Sequence, residues 1–305
     1  EGTLPHAAYD LHLHSCWSYD ATAEVASYFQ QARQLSVRCL AITDHHVLDS
    51  LPEVLAAARG FPEVVAVAGA ELTVTTSVGD VDLLCYGFPL DLPEELVRVL
   101  EAYRRWQQQT GSAICRAAQA LGCHFSDVDR LELLETYRPR RTLKVQGATH
   151  VQNERLRQYF QERGFIGGLD AYAAFMQRLR ATAPFPPYPR VDAVVPVLKR
   201  LGVLVAIAHP HEYFAHGDRR RMDALRAECQ LDGIECAHQA VPAAFTARYR
   251  AYCVEHGLFS TGGSDCHEDP ASTGSMANHG GAEEWLEEFL ARVGPRAIPP
   301  ADPAS

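Results

Sequence analysis

Several short apolar runs in this chain stop abruptly in histidines and carboxylates, and that coincidence constrains the fold more than any other feature. Asp10-Leu-His12-Leu-His14 closes the first run, Thr43-Asp44-His45-His46 the second and Gly69-Ala-Glu71 the third; later runs end in His209-Pro210-His211 and Gly263-Ser-Asp265-Cys-His267. Strand side chains alternate, so His12 and His14 emerge on one face while Leu11 and Leu13 pack on the other, a chelating arrangement. β-branched or apolar runs at 9–14, 38–43, 64–75, 81–88, 203–208, 233–236 and 258–261 alternate with amphipathic stretches at 24–35, 51–59, 191–201, 219–229 and 243–256. That is the pattern of an α/β fold with covering helices. In barrel-like α/β folds the carboxyl ends of the strands converge on one mouth, where ligands distant in sequence can meet.

Residues 92–190 break the rhythm. A long helical stretch at 94–121 is followed by helix-like patches at 153–163 and 169–180 with no convincing strand, which predicts a helical insertion into a discontinuous body of 8–91 and 191–294. A Pro-rich hinge at 184–189 returns the chain to the body, and 295–305 reads as a loose tail. The 305 residues suffice for a sizeable core. Lys and Arg number 28 against 38 Asp and Glu, a net charge of -10 that disfavours long nucleic acid and anionic membranes as partners. Nine scattered cysteines without a C-x-x-C pair read as buried or bystander thiols in a reducing compartment. No apolar stretch is long enough to cross a bilayer and residues 1–8 carry no secretory pattern, so a cytoplasmic location is expected. Residue 1 is not Met, which fits a processed or trimmed start.

Taken singly, each motif has an ordinary explanation: Thr43 and Asp44 can cap a turn, and Asp82, in Val81-Asp82-Leu-Leu, can face solvent. A half-buried carboxylate without a partner is costly, however, and a cation accounts for Asp82 economically. The joint placement of the motifs is the stronger signal.

In order and spacing, Asp10-Leu-His12-Leu-His14-Ser15, Thr43-Asp44-His45, Gly69-Ala-Glu71, Ala208-His209-Pro210 and Gly263-Ser-Asp265-Cys-His267 resemble the signatures of the PHP (polymerase and histidinol phosphatase) family. The resemblance implies a distorted (β/α)7 TIM-like barrel with two or three divalent ions (Mn, Fe or Zn) at its mouth, and a helical cap insertion like that of PHP phosphoesterases acting on small phosphate esters. Carried over position by position, it puts His12, His14, Glu71 and Asp265 around one ion. Glu71 would bridge to a second that also takes His209, and Asp20, His45 and His267 would hold a third. Two departures stand out. Asp82 occupies a position where many relatives have His, shifting preference toward harder ions, and Tyr19 stands where many have Asp, with Asp20 one place later.

The implied activity is hydrolysis of a small phosphorylated metabolite, nucleotides among the candidates, by a metal-bridged hydroxide. Asp44 and Glu235 are candidates to orient metal-bound imidazoles or protonate a leaving group, and His211 and His238 to act as acid or phosphate donor. For substrate binding the sequence offers His150, Arg140, Arg141, Lys144 and Tyr213. The Arg-Pro-His and post-His-Pro arginine of capped relatives are replaced by Ala148-Thr149-His150 and His211-Glu212-Tyr213. That loss argues against nucleotide monophosphates and motivates an alternative, hydrolysis of an amide or cyclic ester on the same barrel. A degenerate metal-binding module is the non-catalytic reading. Nothing in the sequence fixes the oligomeric state.

Overall fold

In a computed structural model, which describes residues 5–168 and 170–298, the chain divides into two compact units. One comprises Glu1–Leu100 with Pro189–Ser305, the other Glu101–Tyr188.

The first unit is a seven-stranded, nearly closed barrel: β1 (Tyr9–Leu13), β2 (Cys39–Ile42), β3 (Val65–Thr76), β4 (Gly79–Tyr86), β5 (Leu204–Ile207), β6 (Gly233–Ala237) and β7 (Phe259–Gly262), paired in that order. Pairing is parallel except on both sides of β4, which folds back from β3 through a two-residue turn and lies antiparallel to β3 and β5. This reversed strand is the distortion of the expected α/β barrel. The helices α1 (Val25–Leu35) and α2 (Leu51–Gly60) make the first two crossovers.

The barrel closes where β1 meets the chain after β7. The His14 amide donates to the Cys266 carbonyl (2.9 Å) and the Asp265 amide to that of His12 (2.9 Å), while the buried Tyr28 hydroxyl donates to both the His14 and Cys266 carbonyls. Gly263 makes the approach possible, since a Cβ there would lie 2.2 Å from that of His12. Tyr9, Leu11, Leu84, Tyr86 and Phe259 form the apolar core beneath.

The second unit is helical. The boundary after Leu100 falls inside α3 (Glu94–Ala120), which is followed by α4 (Asp127–Glu135), α5 (Arg140–Gln146), α6 (Asn153–Glu162) and α7 (Ala171–Thr182). Ser126 and Asp129 form a reciprocal capping box on α4. Ile114, Phe125, Leu134, Phe160, Phe175 and Leu179 give this unit its own core. The helix expected from 169 begins at Ala171, residue 169 lying outside the described residues.

The barrel unit is completed by α8 (Val191–Arg200), α9 (Arg219–Glu228), α10 (Ala243–His256), α11 (Pro270–Thr273) and α12 (Glu283–Val293). The expected tail from 295 is a short 3-10 turn, Gly294–Arg296, and then β8 (Ala297–Ile298), antiparallel to Ala66 and Val67. β4 pairs with β3 only from Gly69 onward, so the first part of β3 has an open edge that β8 fills. Residues 299–305 of that tail, and 1–4 at the start, lie outside the described residues. All nine cysteines are buried and unbridged. Among the described residues no helix is long and apolar enough to cross a membrane.

Candidate metal centre

Among the described residues, four overlapping groups of ligand atoms meet at the mouth, one of them His12 with Glu235 and His238. In the tightest, His12 Nε2 lies 3.1 Å from His14 Nε2, 3.2 Å from Glu71 Oε2 and 3.2 Å from Asp265 Oδ1. His14 Nε2 lies 3.2 Å and 3.1 Å from the same two oxygens. A tetrahedron with edges of 3.2 Å has its centre about 2 Å from each corner, the length of a bond from Zn²⁺ to nitrogen or oxygen. The donors therefore fit a small divalent cation. The second group uses the other oxygen of Glu71: His209 Nε2 is 3.1 Å from Glu71 Oε1 and 3.9 Å from Asp82 Oδ2. The third gathers His14, Asp20, His45 and His267, with Asp20 Oδ2 3.4 Å from both His45 Nε2 and His267 Nε2. His45 Nδ1 is 3.4 Å from Glu71 Oε2, which ties this group to the first.

The backbone is bent to make these groups. His209 and Asp265 sit at φ values of 26° and 56°, in left-handed conformations that L-residues with side chains seldom adopt. Such strain, of order 1–3 kcal/mol per residue, persists only where the surroundings over-determine it.

Electrostatics couples the groups tightly. Burial opposes charge on His12, but Glu235, Asp265 and Glu71 outweigh it and hold its pKa well above the ordinary value. Burial likewise opposes charge on His45 and His209, yet Asp20 and Glu71 raise His45 to about 10 and Glu71 raises His209 to about 9. Glu71, Asp20 and Asp265 resist burial in the converse sense, held well below the carboxylate range by these imidazoles. Each ring thus holds a proton in a place where a cation can stand instead.

Around the ligand atoms lies a layer that orients them. Glu235 is completely buried, with Oε1 2.9 Å from His12 Nδ1 and Oε2 accepting the His209 amide at 2.7 Å. Ser18 Oγ lies 3.2 Å from His14 Nδ1 and accepts the His45 amide. Asp44, read from sequence as a catalytic candidate, is fully buried; it accepts from the Ser15 amide and hydroxyl and from Ser18, so its visible work is to hold that loop. Burial pushes its carboxyl up despite these bonds.

The remaining sequence candidates separate. His238 joins the centre, its Nε2 3.5 Å from Asp265 Oδ2. Tyr213 donates to Asp82 Oδ2 at 2.5 Å, and Thr73 donates to Asp82 Oδ1 at 2.6 Å while lying 3.0 Å from His46 Nε2. His211 is not brought in; its ring lies against Tyr249 and His216 instead. In the helical unit, Arg140, Arg141 and Lys144 are exposed on α5, and His150 meets Trp106 edge-on at 5.2 Å between ring centroids. Arg138 is buried and bonded to Thr149 and Gln146.

Sequence reading gave no role to Thr73, His46, Ser15 or Ser18, although His46 and Ser15 stand inside the motifs quoted above. A hydroxyl two residues beyond Glu71 on the same strand face was the available signal for Thr73; the others depend on loop geometry that no pattern encodes.

A barrel whose mouth gathers imidazoles and carboxylates in this way is that of a metal-dependent hydrolase. The PHP domain profile matches residues 10–169, just over half of the chain, and the chain belongs to the PHP family. Its fold is shared with an amidohydrolase from Chromobacterium violaceum, solved with bound sulfate and no metal, at a TM-score of 0.75 and 20% identity over 98% of this chain and 100% of that one. It is shared also with a protein from Bifidobacterium adolescentis assigned as a metal-dependent phosphoesterase, at a TM-score of 0.68 and 22% identity over 94% and 98% of the two chains. No curated protein sequence matches the chain.

Proposed function

We propose that this protein is a phosphoesterase that hydrolyses a small phosphorylated metabolite, nucleotides among the candidates, at a centre of two or three divalent ions (Mn, Fe or Zn). His12, His14, Glu71 and Asp265 would hold the first ion, Glu71, His209 and Asp82 the second, and Asp20, His45 and His267 a third. The observation that carries the reading is Glu71, whose two carboxylate oxygens point into two different ligand groups. When bound, paired ions supply a nucleophilic water at neutral pH and neutralise phosphoryl oxygens. The protein's part is to hold the ligand atoms in place: Glu235 orients His12, Ser18 orients His14, and Tyr213 with Thr73 fixes Asp82. His238, beside Asp265, is the candidate to hand a proton to the leaving oxygen.

A second reading, hydrolysis of an amide or cyclic ester, is favoured by the residue after His211 being the exposed Glu212 where an anion-binding arginine would serve. A panel of phosphate esters, amides and lactones, assayed with Mn²⁺, Fe²⁺ and Zn²⁺, separates the two. Phosphate release is the expected result, and turnover confined to the carbonyl substrates would replace the first reading by the second.

A further inference from the structure

The loop from His209 to α9 carries another set of ligand-type side chains that the barrel mouth does not use. His211 is buried, its Nδ1 seated 2.9 Å from the hydroxyl of the buried Tyr249. Only Nε2 is left to offer, and it lies 3.0 Å from His216 Nδ1. That is a hydrogen-bond contact and equally the spacing of two ligands on one ion, close to the edges of the tetrahedral group around His12. Glu212, exposed and four residues before His216, brings Oε2 3.7 Å from His216 Nε2, the other nitrogen of that ring. One ligand atom from each of the three residues falls within 4.8 Å of the other two.

Two further observations mark this arrangement as built. The first is backbone strain: Ala215 and His216 lie at φ values of 45° and 58°, and the His216 amide donates to the His211 carbonyl at 2.9 Å, a turn that folds the second ring onto the first. Left-handed conformations cost L-residues about 1 kcal/mol or more each, so the ring pairing is maintained against the backbone's preference. The second is the fixed seat of His211. Metal-binding imidazoles have their other nitrogen engaged by a fixed partner, which orients the ring and leaves one nitrogen for the ion, and Tyr249 is that partner here.

We propose that His211, Glu212 and His216 form a separate binding site for a zinc-class ion, independent of the barrel-mouth centre. Two imidazoles and a carboxylate, with solvent on the exposed side to complete the coordination, are a donor set for Zn²⁺ and a poor one for Mg²⁺ or Ca²⁺, which take oxygen ligands.

The test uses the full chain, stripped with a chelator, equilibrated with Zn²⁺ at buffered free concentrations and analysed for bound metal. His216 is largely exposed, so His216→Ala leaves the fold intact. Wild type should bind one more Zn²⁺ than H216A, and Glu212→Gln should weaken that step about tenfold while preserving its stoichiometry. The same one-ion difference should persist in a Glu71→Gln background, where the barrel-mouth ligands are impaired. Equal stoichiometry of wild type and H216A would overturn the proposal, as would a Glu212→Gln isotherm that superimposes on wild type.

Discussion

Two regions of the barrel mouth hold similar residues in different ways. Around His12, the ligand atoms stand 3.1–3.2 Å apart; His12 and His14 are fully buried and Glu71 is 1% exposed, with only Asp265 reaching 21%. Around Asp20 the separations open to 3.4 Å, and Asp20, His45 and His267 are 13%, 16% and 26% exposed. The first group takes His12 from β1 and Glu71 from β3, with His14 just past β1 and Asp265 from the loop after β7; Glu235 and Ser18 fix the two rings, and the end of β1 is pinned to that loop. The second draws Asp20 from the loop after β1 and His267 from the loop after β7. Rigid elements hold ligands at bonding distance before an ion arrives, while loops leave them to be drawn together by it. The two regions should accordingly differ in affinity and in the cost of losing a residue.

Glu71→Gln breaks the comparison at its strongest point, because the two Glu71 oxygens face two ligand groups and, on the proposed function, would serve two ions at once. Turnover should fall by about a thousandfold, several kcal/mol of transition-state stabilisation, and bound metal should drop by more than one ion. Product release and metal content on the same sample check both, and near-normal values would remove Glu71 from the centre. Glu235→Gln leaves every ligand in place but replaces the carboxylate that orients His12. Metal affinity should fall 10- to 100-fold, roughly, with the circular dichroism spectrum unchanged. An unaltered isotherm would show that the Glu235–His12 contact does not set affinity.

Both regions were named from the sequence, the tight one on the stronger signal. His12, His14, Glu71, His209 and Asp265 stood out because each interrupts or follows an apolar strand run, a short-range signal; Asp20, His45 and His267 were named through the family resemblance. The strand pattern gave an α/β fold, and the resemblance to the PHP family supplied the barrel; the antiparallel direction of β4 was in neither. Its run at 81–88 reads as a strand in either direction, since pleat periodicity carries no polarity. Asp44 and His211 were less readable. Both are ionisable residues beside a ligand motif, and only coordinates reveal that one holds up the Ser15–Ser18 loop and the other turns toward Tyr249. The arginines of the insertion were opaque too, because a buried Arg138 bonded to Gln146 and an exposed Arg140 have the same letter in the sequence.

Protons sharpen the comparison next. His45 and His209, raised to about 10 and about 9, carry protons at neutral pH when no ion is bound, and His12 does so as well. An ion needs the neutral imidazole, so binding must expel these protons. The sign follows: apparent affinity should rise with pH up to about 9–10 and fall below it, about tenfold per pH unit for each proton released. Calorimetric titrations in buffers of different ionisation enthalpy count those protons, and a pH-independent constant would contradict the ion pairing described above.

Asp20→Asn is the mildest change and the most discriminating. Asparagine keeps an oxygen at the same place but removes the charge that raises His45 and His267. Because the loop-borne ligands stand farther apart and are partly solvated, losing that charge should release the weakest-bound ion and leave the His12 group filled. Turnover should fall only about three- to tenfold, as expected when one charged ligand of a solvated site is weakened. Metal analysis alongside kinetics reads the two effects separately. If the variant keeps every ion and full turnover, the Asp20 group is only a set of ion pairs. If it falls to the level of Glu71→Gln, the looser region holds the essential ion, and spacing before binding is not what ranks these sites.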